Sequence, residues 1–304
     1  MMHSYQVCEC GAPLQLSEQQ VPEPKGTGIL LKMLAAGVCH SDLHIWDGYY
    51  ELGAGRKLML ADRGIKLPLT MGHENVGEVV ALGPDAKDVA LGSVRLVNPW
   101  MGCGECKVCR RGDENLCLKP RNVGVFTQGG YSTHLLVPHS RHLFGIGALT
   151  PAQAAPLACS GVTAYSALKK VRDNFADEPL VIIGAGGVGL MAVALARKMG
   201  AGEVIIVDID TDKRDAGLAA GATAAIDGGA PDVVTQIQRA TRGGAWSVID
   251  FVGSSATVTT AIGSIVKRGV VQSRRIDISE LVKGIYFVSL HSNNQTLVRR
   301  IVKE

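Results

Sequence analysis

The sequence lacks long hydrophobic runs and any block of basic residues, and its first residues do not have the pattern of a signal peptide. No segment reaches about 18 uninterrupted apolar residues, the length at which a helix can span a membrane. The N-terminus, Met-Met-His-Ser-Tyr-Gln-Val, has neither the basic start nor the apolar run of a signal peptide, so we expect a cytoplasmic protein with no membrane partner. Lysine and arginine are scattered and the net charge is +3, which argues against nucleic acid as a partner.

The chain has the length and composition of a globular protein with two domains. Its 304 residues are 46% apolar and 19% charged. Its eight cysteines are clustered, and in a chain without an export signal this favours reduced thiols and metal over disulfides. Cys8 and Cys10 form a CxC pair on a predicted strand with no further ligand nearby, so a structural role explains them better than metal.

The first part of the chain predicts an antiparallel β domain, because short apolar stretches alternate with glycine and proline turn signals. These stretches are residues 5–8, 14–16, 29–33, 75–83, 92–97 and 129–138. The segment 46–68 is rich in Gly, Tyr, Lys and Arg, and predicts either a loop near the entrance of a site or a solvated insertion with no role. A helix is predicted to start near residue 150, with Thr150 as its N-cap and Pro151 at its first position.

Two short runs carry side chains suited to metal binding and proton transfer. They are Cys39-His40-Ser41-Asp42-Leu43-His44 and Gly72-His73-Glu74. Cys39 and His73 would supply a soft sulfur and a borderline nitrogen, a pairing that suits zinc. Cys159 is a single thiol in an apolar setting, and its role depends on whether the fold brings it to Cys39 and His73.

Four cysteines within fifteen positions give the strongest local metal signal. They are Cys103, Cys106, Cys109 and Cys117. Four thiolates complete a tetrahedral shell with no open position, which is typical of a structural zinc. An iron–sulfur cluster can also use four cysteines, but a redox-inert zinc is the better explanation for a Gly- and charge-rich segment with little core of its own.

From residue 180 the sequence changes to an α/β pattern with a dinucleotide-binding signature. A fully apolar strand, Leu180-Val181-Ile182-Ile183, leads into the turn Gly184-Ala-Gly186-Gly187-Val188-Gly189 and a predicted helix. The next strand ends at Asp208, nineteen residues after Gly189. Such an acid can accept hydrogen bonds from both ribose hydroxyls and repels a phosphate there, which favours NAD over NADP. The neighbouring Lys213 and Arg214 leave NADP open.

Further strands and helices alternate to the end of the chain, which predicts a doubly wound parallel sheet. We expect helices at 232–240 and 256–266, strands at 246–252, 269–272 and 285–290, and a last helix at 293–302, where Leu297, Val298 and Ile301 have helical spacing.

Taken in order, these motifs resemble the zinc-dependent medium-chain alcohol dehydrogenases, over residues 5 to 270. The resemblance implies an α/β protein. A GroES-like catalytic β domain (residues 1–154, with a structural-zinc lobe at 99–120) would precede a Rossmann NAD-binding domain (155–304), with the active site in the cleft between them. The family usually continues past the last Rossmann helix and returns to the β domain. Since this chain stops at Glu304, that return segment is expected to be missing.

The resemblance also implies the chemistry of the site. Cys39, His73 and Cys159 would bind a catalytic zinc, a Lewis acid that lowers the pKa of an alcohol, while the four cysteines hold a second, structural zinc. Ser41 would take the alcohol proton and pass it through the cofactor ribose to His44. Asp42 and Glu74 would orient His73 and tune the metal's charge, although capping or surface carboxylates remain an alternative.

Cofactor and pocket residues follow from the same resemblance. His40 would contact the cofactor phosphate and Thr163 the nicotinamide side, and Lys213 lies near the ribose. Trp46, Tyr50 and Trp100 are candidates for the wall of the substrate pocket, with aromatic core as the alternative.

The expected function is therefore interconversion of a primary or secondary alcohol and its aldehyde or ketone with NAD, in a homodimer or homotetramer. The alternatives are a polyol or other aldehyde dehydrogenase of the superfamily, and a non-catalytic zinc-stabilised nucleotide-binding protein.

Overall fold

A computed structural model describes residues 1–52, 55–265, 284–292 and 295–303. It divides into two compact units, Met1–Thr163 and Ala164–Glu304.

The first unit is mostly antiparallel β structure. Its helices and strands, in chain order, are β1 (Met2–Val7), β2 (Gln15–Gln19), β3 (Ile29–Gly37), α1 (His40–Asp47), β4 (Tyr49–Glu51), β5 (Lys57–Met59), β6 (Leu69–Thr70), β7 (Glu74–Leu82), β8 (Val94–Val97), α2 (Lys107–Arg110), β9 (His134–Val137), β10 (Leu143–Gly145), α3 (Pro151–Ala154) and α4 (Ser160–Lys169), which crosses the division in sequence. The antiparallel β region expected from the apolar stretches is confirmed.

A five-stranded sheet with the order β10-β8-β7-β3-β9 forms the centre of the first unit, and a three-stranded sheet has the order β2-β1-β6. β3 pairs with β7 over most of its length, with irregularities in register after Leu30 and Met33 that bend the strand. Alternate apolar side chains of the large sheet are fully buried, among them Ile29, Leu31 and Val79. β3 ends at Gly37, two residues before the run that begins at Cys39.

Two local predictions in this unit can be compared with the structure. Thr150 caps α3 by accepting a hydrogen bond from the Gln153 amide, and Pro151 occupies the first turn, as predicted. The segment 46–68 was interpreted as a loop, and this is wrong for part of it. β4 and β5 pair there as a short antiparallel hairpin, and a 3₁₀ turn follows at Ala61–Arg63. Two three-residue strands have too little alternation to be seen in the sequence.

The second unit is built on parallel strands. Its helices and strands are β11 (Leu180–Ile183), α5 (Gly187–Lys198), β12 (Val204–Asp208), α6 (Thr211–Ala219), β13 (Ala224–Asp227), α7 (Val233–Ala240), β14 (Ser247–Asp250), α8 (Ser255–Ser264), β15 (Gly284–Ser292) and β16 (Gln295–Lys303). The sheet order β13-β12-β11-β14 is parallel throughout. β12 and β13 follow β11 on one side and β14 lies on the other, so the strand order reverses between β11 and β14. Ligands bind at the carboxyl ends of the strands at such a point.

Both faces of this parallel sheet are covered. In β11, Leu180 and Ile182 pack with residues of α5 on one face, and Val181 and Ile183 pack with residues of α7 on the other. All four side chains are buried, which explains the uninterrupted apolar run in the sequence. The doubly wound α/β architecture is thereby confirmed.

The end of the chain differs from the prediction. The expected helix at 293–302 is wrong, because Gln295–Lys303 is a strand that pairs antiparallel with Gly284–Ser292. The spacing of Leu297, Val298 and Ile301 fits a helix, but short apolar runs rich in β-branched residues also fit a strand, and pairing with the preceding segment decides between them. The expected strand at 269–272 and the segment 273–283 lie outside the described residues. Sequence analysis missed α1, α6 and β13.

Within the described ranges, none of the helices combines the length and hydropathy that crossing a membrane would require.

Candidate metal and cofactor sites

Three ligand-bearing residues meet at the ends of different elements in the first unit. Cys39 is the N-cap residue of α1, directly after β3. His73 immediately precedes β7, and Cys159 follows the short 3₁₀ turn Ala155–Ala158. The fold thus brings together residues that lie 120 positions apart. We call Cys39, His73 and Cys159 the three-ligand site.

The geometry of the three-ligand site fits a metal ion. One ligand atom from each residue lies within 4.8 Å of the others, and the two sulfurs are 3.8 Å apart. Ligand sulfurs about 2.3 Å from a tetrahedral zinc lie about 3.8 Å from one another. His73 is fully buried, yet neither of its ring nitrogens has a hydrogen-bond partner in the described part of the chain. A buried nitrogen of this kind is costly unless something binds it, and a metal would satisfy it.

The carboxylate of Asp42 lies beside the His73 ring and accepts several hydrogen bonds. Its Oδ1 is 3.3 Å from His73 Nδ1 and accepts a hydrogen bond of 3.3 Å from the Gly72 amide. Its Oδ2 accepts from the Cys39 amide at 2.9 Å and from the Tyr131 hydroxyl at 3.0 Å. Burial alone would raise the pKa of Asp42, but His73, Cys39 and Tyr131 hold it below its ordinary value. The carboxylate is therefore ionised and faces the back of the imidazole.

The ligands differ in protonation when no metal is bound. A hydrogen bond from Cys159, set against burial, lowers the pKa of Cys39 to about 4. The same hydrogen bond and burial raise the pKa of Cys159. Burial alone would lower the pKa of His73, but Asp42 and Cys39 raise it to about 10. The shifts favour a thiolate at Cys39, and a metal that binds all three ligands would displace the protons of Cys159 and His73.

Glu74 follows His73 at the start of β7 and contacts the residue after Cys159. Its Oε1 accepts hydrogen bonds from the Ser160 amide at 3.3 Å and from the Ser160 hydroxyl at 3.2 Å. Gly37 packs so closely that a Cβ there would collide with the Glu74 carboxylate. Burial raises the pKa of Glu74, with Ser160 opposing it. Glu74 therefore ties the start of β7 to the residue after Cys159, and it is not a surface carboxylate.

The expected relay residues lie on α1. Ser41 and His44 are partly buried, and the ring of His44 is 4.7 Å from the rings of both His40 and Tyr50. Partial burial, and then the charge of His40, lower the pKa of His44. A neutral imidazole at neutral pH can accept a proton. His40 and Thr163 are exposed, and their contacts to a cofactor stay predictions.

The three aromatic residues predicted for the substrate pocket have different surroundings. Trp46 packs into a core cluster and donates its indole N–H to the Ala12 carbonyl at 2.6 Å. The Trp100 ring lies 5.9 Å from the His73 ring, and its N–H donates to the Ala158 carbonyl. Tyr50 faces His44 as described. Trp100 and Tyr50 thus border site residues, and both Tyr50 and Trp46 pack against the same core cluster.

The four-cysteine lobe, comprising Cys103, Cys106, Cys109 and Cys117, is a second ligand cluster. Its four sulfurs lie within 4.8 Å of one another, with Cys106–Cys109 at 3.5 Å and Cys103–Cys109 at 3.9 Å. Backbone amides donate to the sulfurs, as the Lys119 amide does to Cys117 at 3.3 Å. Such donors lower the pKa of Cys103 and bring that of Cys106 to about 6. Four sulfurs in this arrangement fit a closed tetrahedral metal site.

Glu114 fixes the lobe to its surroundings. Its Oε2 accepts from the Gly102 amide at 3.0 Å, and its Oε1 pairs with Arg141 at 3.2 Å. The Glu114 carboxylate thereby joins Gly102, at the start of the lobe, to Arg141, which lies after the lobe in the chain.

In the second unit, the glycine-rich turn joins β11 to α5 as predicted. Gly184 has a φ of +93°, and a Cβ on Gly189 would collide with the Gly184 carbonyl oxygen. A Cβ on Gly186, by contrast, would meet nothing within 4 Å. The open side at Gly186, Gly187 and Val188 leaves the N-terminus of a 12-residue helix available to an anion such as a pyrophosphate.

Asp208 ends β12 beside this turn. Its Oδ2 accepts from the Ala185 amide at 2.7 Å, and its Oδ1 accepts from the Asp210 amide at 3.0 Å. The guanidinium of Arg214 is occupied by the Asp208 carbonyl, Thr211 and Asp227. Lys213 is exposed on α6. The Asp208 carboxylate is therefore positioned at the glycine-rich turn, and the guanidinium of Arg214 is already hydrogen-bonded to other groups.

Sequence analysis missed two residues that support the three-ligand site, Tyr131 and Ser160. Tyr131 lies 89 positions from Asp42, within the apolar stretch at 129–138. The Gly129-Gly130 pair before it was a usable signal, since a backbone that requires two glycines often approaches another segment closely. Here Gly129 approaches the backbone at Gly72.

Family models match both units. Residues 25–147 match the alcohol dehydrogenase GroES-like domain, and residues 187–273 match the zinc-binding dehydrogenase model. A third model, a secretion system C-terminal sorting domain, matches residues 247–304 and overlaps the second.

Individual relatives agree with the first two models. The chain is 39% identical to an NAD-dependent alcohol dehydrogenase of Sulfurisphaera tokodaii, over 88% of this chain and 76% of the relative. It is 33% identical to a D-arabinose 1-dehydrogenase (NADP(+)) of Saccharolobus solfataricus, over 81% of this chain and 68% of the relative. It also resembles the crystal structure of the alcohol dehydrogenase from Aeropyrum pernix, with a TM-score of 0.76, 29% identity, and coverage of 88% of this chain and 76% of that one.

Proposed function

Because the chain belongs to the zinc-dependent medium-chain alcohol dehydrogenase family, we propose that it transfers hydride between an alcohol and NAD, interconverting alcohol and aldehyde or ketone. We also propose that residues 1–154 form the catalytic domain and 155–304 the NAD-binding domain, in a homodimer or homotetramer. The first unit supplies the ligand sites and the second the glycine-rich turn.

The three-ligand site carries this proposal. Cys39, His73 and Cys159 would hold a catalytic zinc through two sulfurs and the buried, unpartnered Nε2 of His73. A zinc with three protein ligands supplies Lewis acidity at its remaining position. Asp42 keeps His73 in place, Glu74 fixes the residue after Cys159, and the neutral His44 accepts a proton. The four-cysteine lobe would hold a second zinc with no open position.

The proposal is tested by NADH formation over a panel of primary alcohols, secondary alcohols and polyols. Turnover should disappear after metal is removed with a chelator and return when zinc is restored. Full activity without metal contradicts the proposal, and cofactor binding without any turnover would favour a non-catalytic protein. A preference for polyols or sugars, as named for the D-arabinose relative, would favour the alternative dehydrogenase.

Replacing His44 with glutamine is expected to lower kcat by about 100-fold at neutral pH, at the low end of what a positioned general base contributes. Since the pKa of His44 is lowered, its proton-accepting form is present at neutral pH and is lost as pH falls through that lowered value. Wild-type kcat should therefore fall on the acid side, and the variant should lose this dependence. The measurement is kcat against pH from about 5 to 9, around the ordinary range of histidine.

His134→Gln is the matched control for this prediction. Burial lowers the pKa of His134 as well, but the residue lies on β9, away from the described ligand sites. An unchanged acid limb in His44→Gln would contradict the relay role.

Replacing Asp208 with serine is expected to raise kcat/KM for NADP relative to NAD by about 10-fold, because the carboxylate repels a 2′-phosphate and binds ribose hydroxyls. Steady-state kinetics with both cofactors measure this ratio. Asp212→Ser, on the exposed first turn of α6, is the control and should leave the ratio unchanged. A wild-type enzyme that already prefers NADP would overturn the proposed cofactor.

We propose a cytoplasmic location, consistent with eight free cysteines that include two ligand clusters. The sorting-domain match at residues 247–304 favours export instead. Fractionation of the producing cells, followed by immunodetection, distinguishes the two locations.

A further inference from the structure

Tyr131 is held firmly beside the segment that leads to His73. Its amide donates to the Met71 carbonyl at 3.0 Å, and its carbonyl accepts from the Tyr5 amide at 2.8 Å. Its ring lies against Gly72, where a Cβ would come within 2.6 Å of Tyr131 Cδ1. Gly72 has a φ of +93°, so a larger side chain is disfavoured there by both backbone and space. The ring therefore has a fixed position over the residue before His73.

The hydroxyl of Tyr131 has two acceptors within reach. Asp42 Oδ2 lies 3.0 Å away, and the Gly37 carbonyl oxygen lies 3.3 Å away. A hydroxyl donates one proton, and the nearer, ionised carboxylate is the stronger acceptor. The hydrogen bond to Asp42 therefore takes precedence.

This hydrogen bond completes the support of a carboxylate that faces a metal ligand. Asp42 Oδ2 is held by Tyr131 and by the Cys39 amide, while Oδ1 accepts from the Gly72 amide and lies 3.3 Å from His73 Nδ1. That distance slightly exceeds an ordinary N–H···O hydrogen bond. Because the contact is long, it orients the imidazole only while the carboxylate keeps its own orientation. Neither imidazole nitrogen has a hydrogen-bond partner among the described residues, so the 3.3 Å approach of Nδ1 to Asp42 leaves Nε2 available to a metal.

We propose that Tyr131 is a positioning residue for metal binding at the three-ligand site, acting through Asp42 on His73. This rests on the proposed zinc site. Tyr131 touches no ligand atom itself, and its ring also packs against the cluster that contains Val7 and Ile45. A role confined to packing would need the ring only, whereas the proposed role needs the hydroxyl oxygen.

The test compares zinc affinity in Tyr131→Phe with that in the wild type, by competition with a chelator. Removing a group behind a metal ligand typically costs about 10- to 100-fold in metal affinity, and we expect about 10-fold here. Tyr5→Phe is the matched control, since Tyr5 is on the neighbouring strand, is 54% exposed and has no side-chain hydrogen bond among the described residues. Its affinity should be unchanged.

Two further measurements separate the possible failures. Cys39→Ser identifies which of the bound zinc ions belongs to the three-ligand site. If the wild type binds zinc only in the four-cysteine lobe, the proposed function fails. If it binds two ions and Tyr131→Phe keeps both affinities, only the role of Tyr131 fails. A Co²⁺-loaded sample should also show a shifted visible spectrum for Tyr131→Phe and not for Tyr5→Phe.

A double substitution tests the route through Asp42. Asp42→Asn keeps the packing of Tyr131 and should itself lower zinc affinity at least as much. Adding Tyr131→Phe to Asp42→Asn should then lower zinc affinity by less than a further 2-fold, because the effects of two residues that act through the same contact are not additive. A full 10-fold loss in the Asp42→Asn background would overturn the proposed route. Loss of zinc from the four-cysteine lobe as well would show that Tyr131→Phe does not fold. In that case Asp42→Asn decides, and an unchanged zinc affinity of the three-ligand site in this variant would overturn the proposal.

Discussion

Replacing Cys39 with serine is expected to lower kcat/KM for alcohol oxidation by about 10⁴-fold, the equivalent of about 5.5 kcal/mol of transition-state stabilisation. A hydrogen bond from Cys159 lowers the pKa of Cys39, which favours the thiolate that a metal binds. A serine hydroxyl is not ionised at neutral pH and binds zinc poorly. Metal analysis should show one zinc fewer per chain, alongside the loss of turnover.

Cys8→Ser is the control for this variant, because Cys8 is an exposed cysteine outside both described ligand clusters. It should keep full activity and full zinc content. Near-normal turnover in Cys39→Ser, with its zinc content reduced, would show that the reaction does not use the three-ligand site.

Replacing Cys109 with serine is expected to destabilise the protein more than any change at an exposed cysteine. Cys109 is the buried member of the four-cysteine lobe and lies 3.5 Å from Cys106 and 3.9 Å from Cys103. Loss of a bound metal belongs to the substitutions that cost about 4 kcal/mol or more. For a chain of this size that corresponds to a drop in Tm of about 10 °C. Calorimetry, with Cys8→Ser as reference, measures the difference.

The same variant should become sensitive to protease within the lobe, at residues 99–120, because the segment has little apolar core to keep it folded without metal. Activity at low temperature should survive better than in Cys39→Ser, since the lobe holds none of the three catalytic ligands. A Tm equal to that of the wild type would show that the lobe folds without its metal.

Elements with strong local patterns were predictable. The uninterrupted apolar run of β11 and the glycine-rich turn before α5 have no common alternative structure, and Thr150 with Pro151 marks a helix start by its own hydrogen bonding. Weak or short patterns were not predictable. β4 and β5 have three residues each, and the segment at 295–303 carries an apolar spacing that suits either a helix or a strand.

The sequence by itself determined the motifs whose members are neighbours in the chain. The four cysteines lie within fifteen positions and the turn from Gly184 to Gly189 within six, so local geometry alone can bring them together. Cys39, His73 and Cys159, and still more the hydrogen bond from Tyr131 to Asp42, join residues that are tens of positions apart. Only the tertiary structure decided those contacts. The bend of β3, the pairing of β3 with β7 and the close approach at Gly72 are set by burial and strand register, which involve segments distant in sequence.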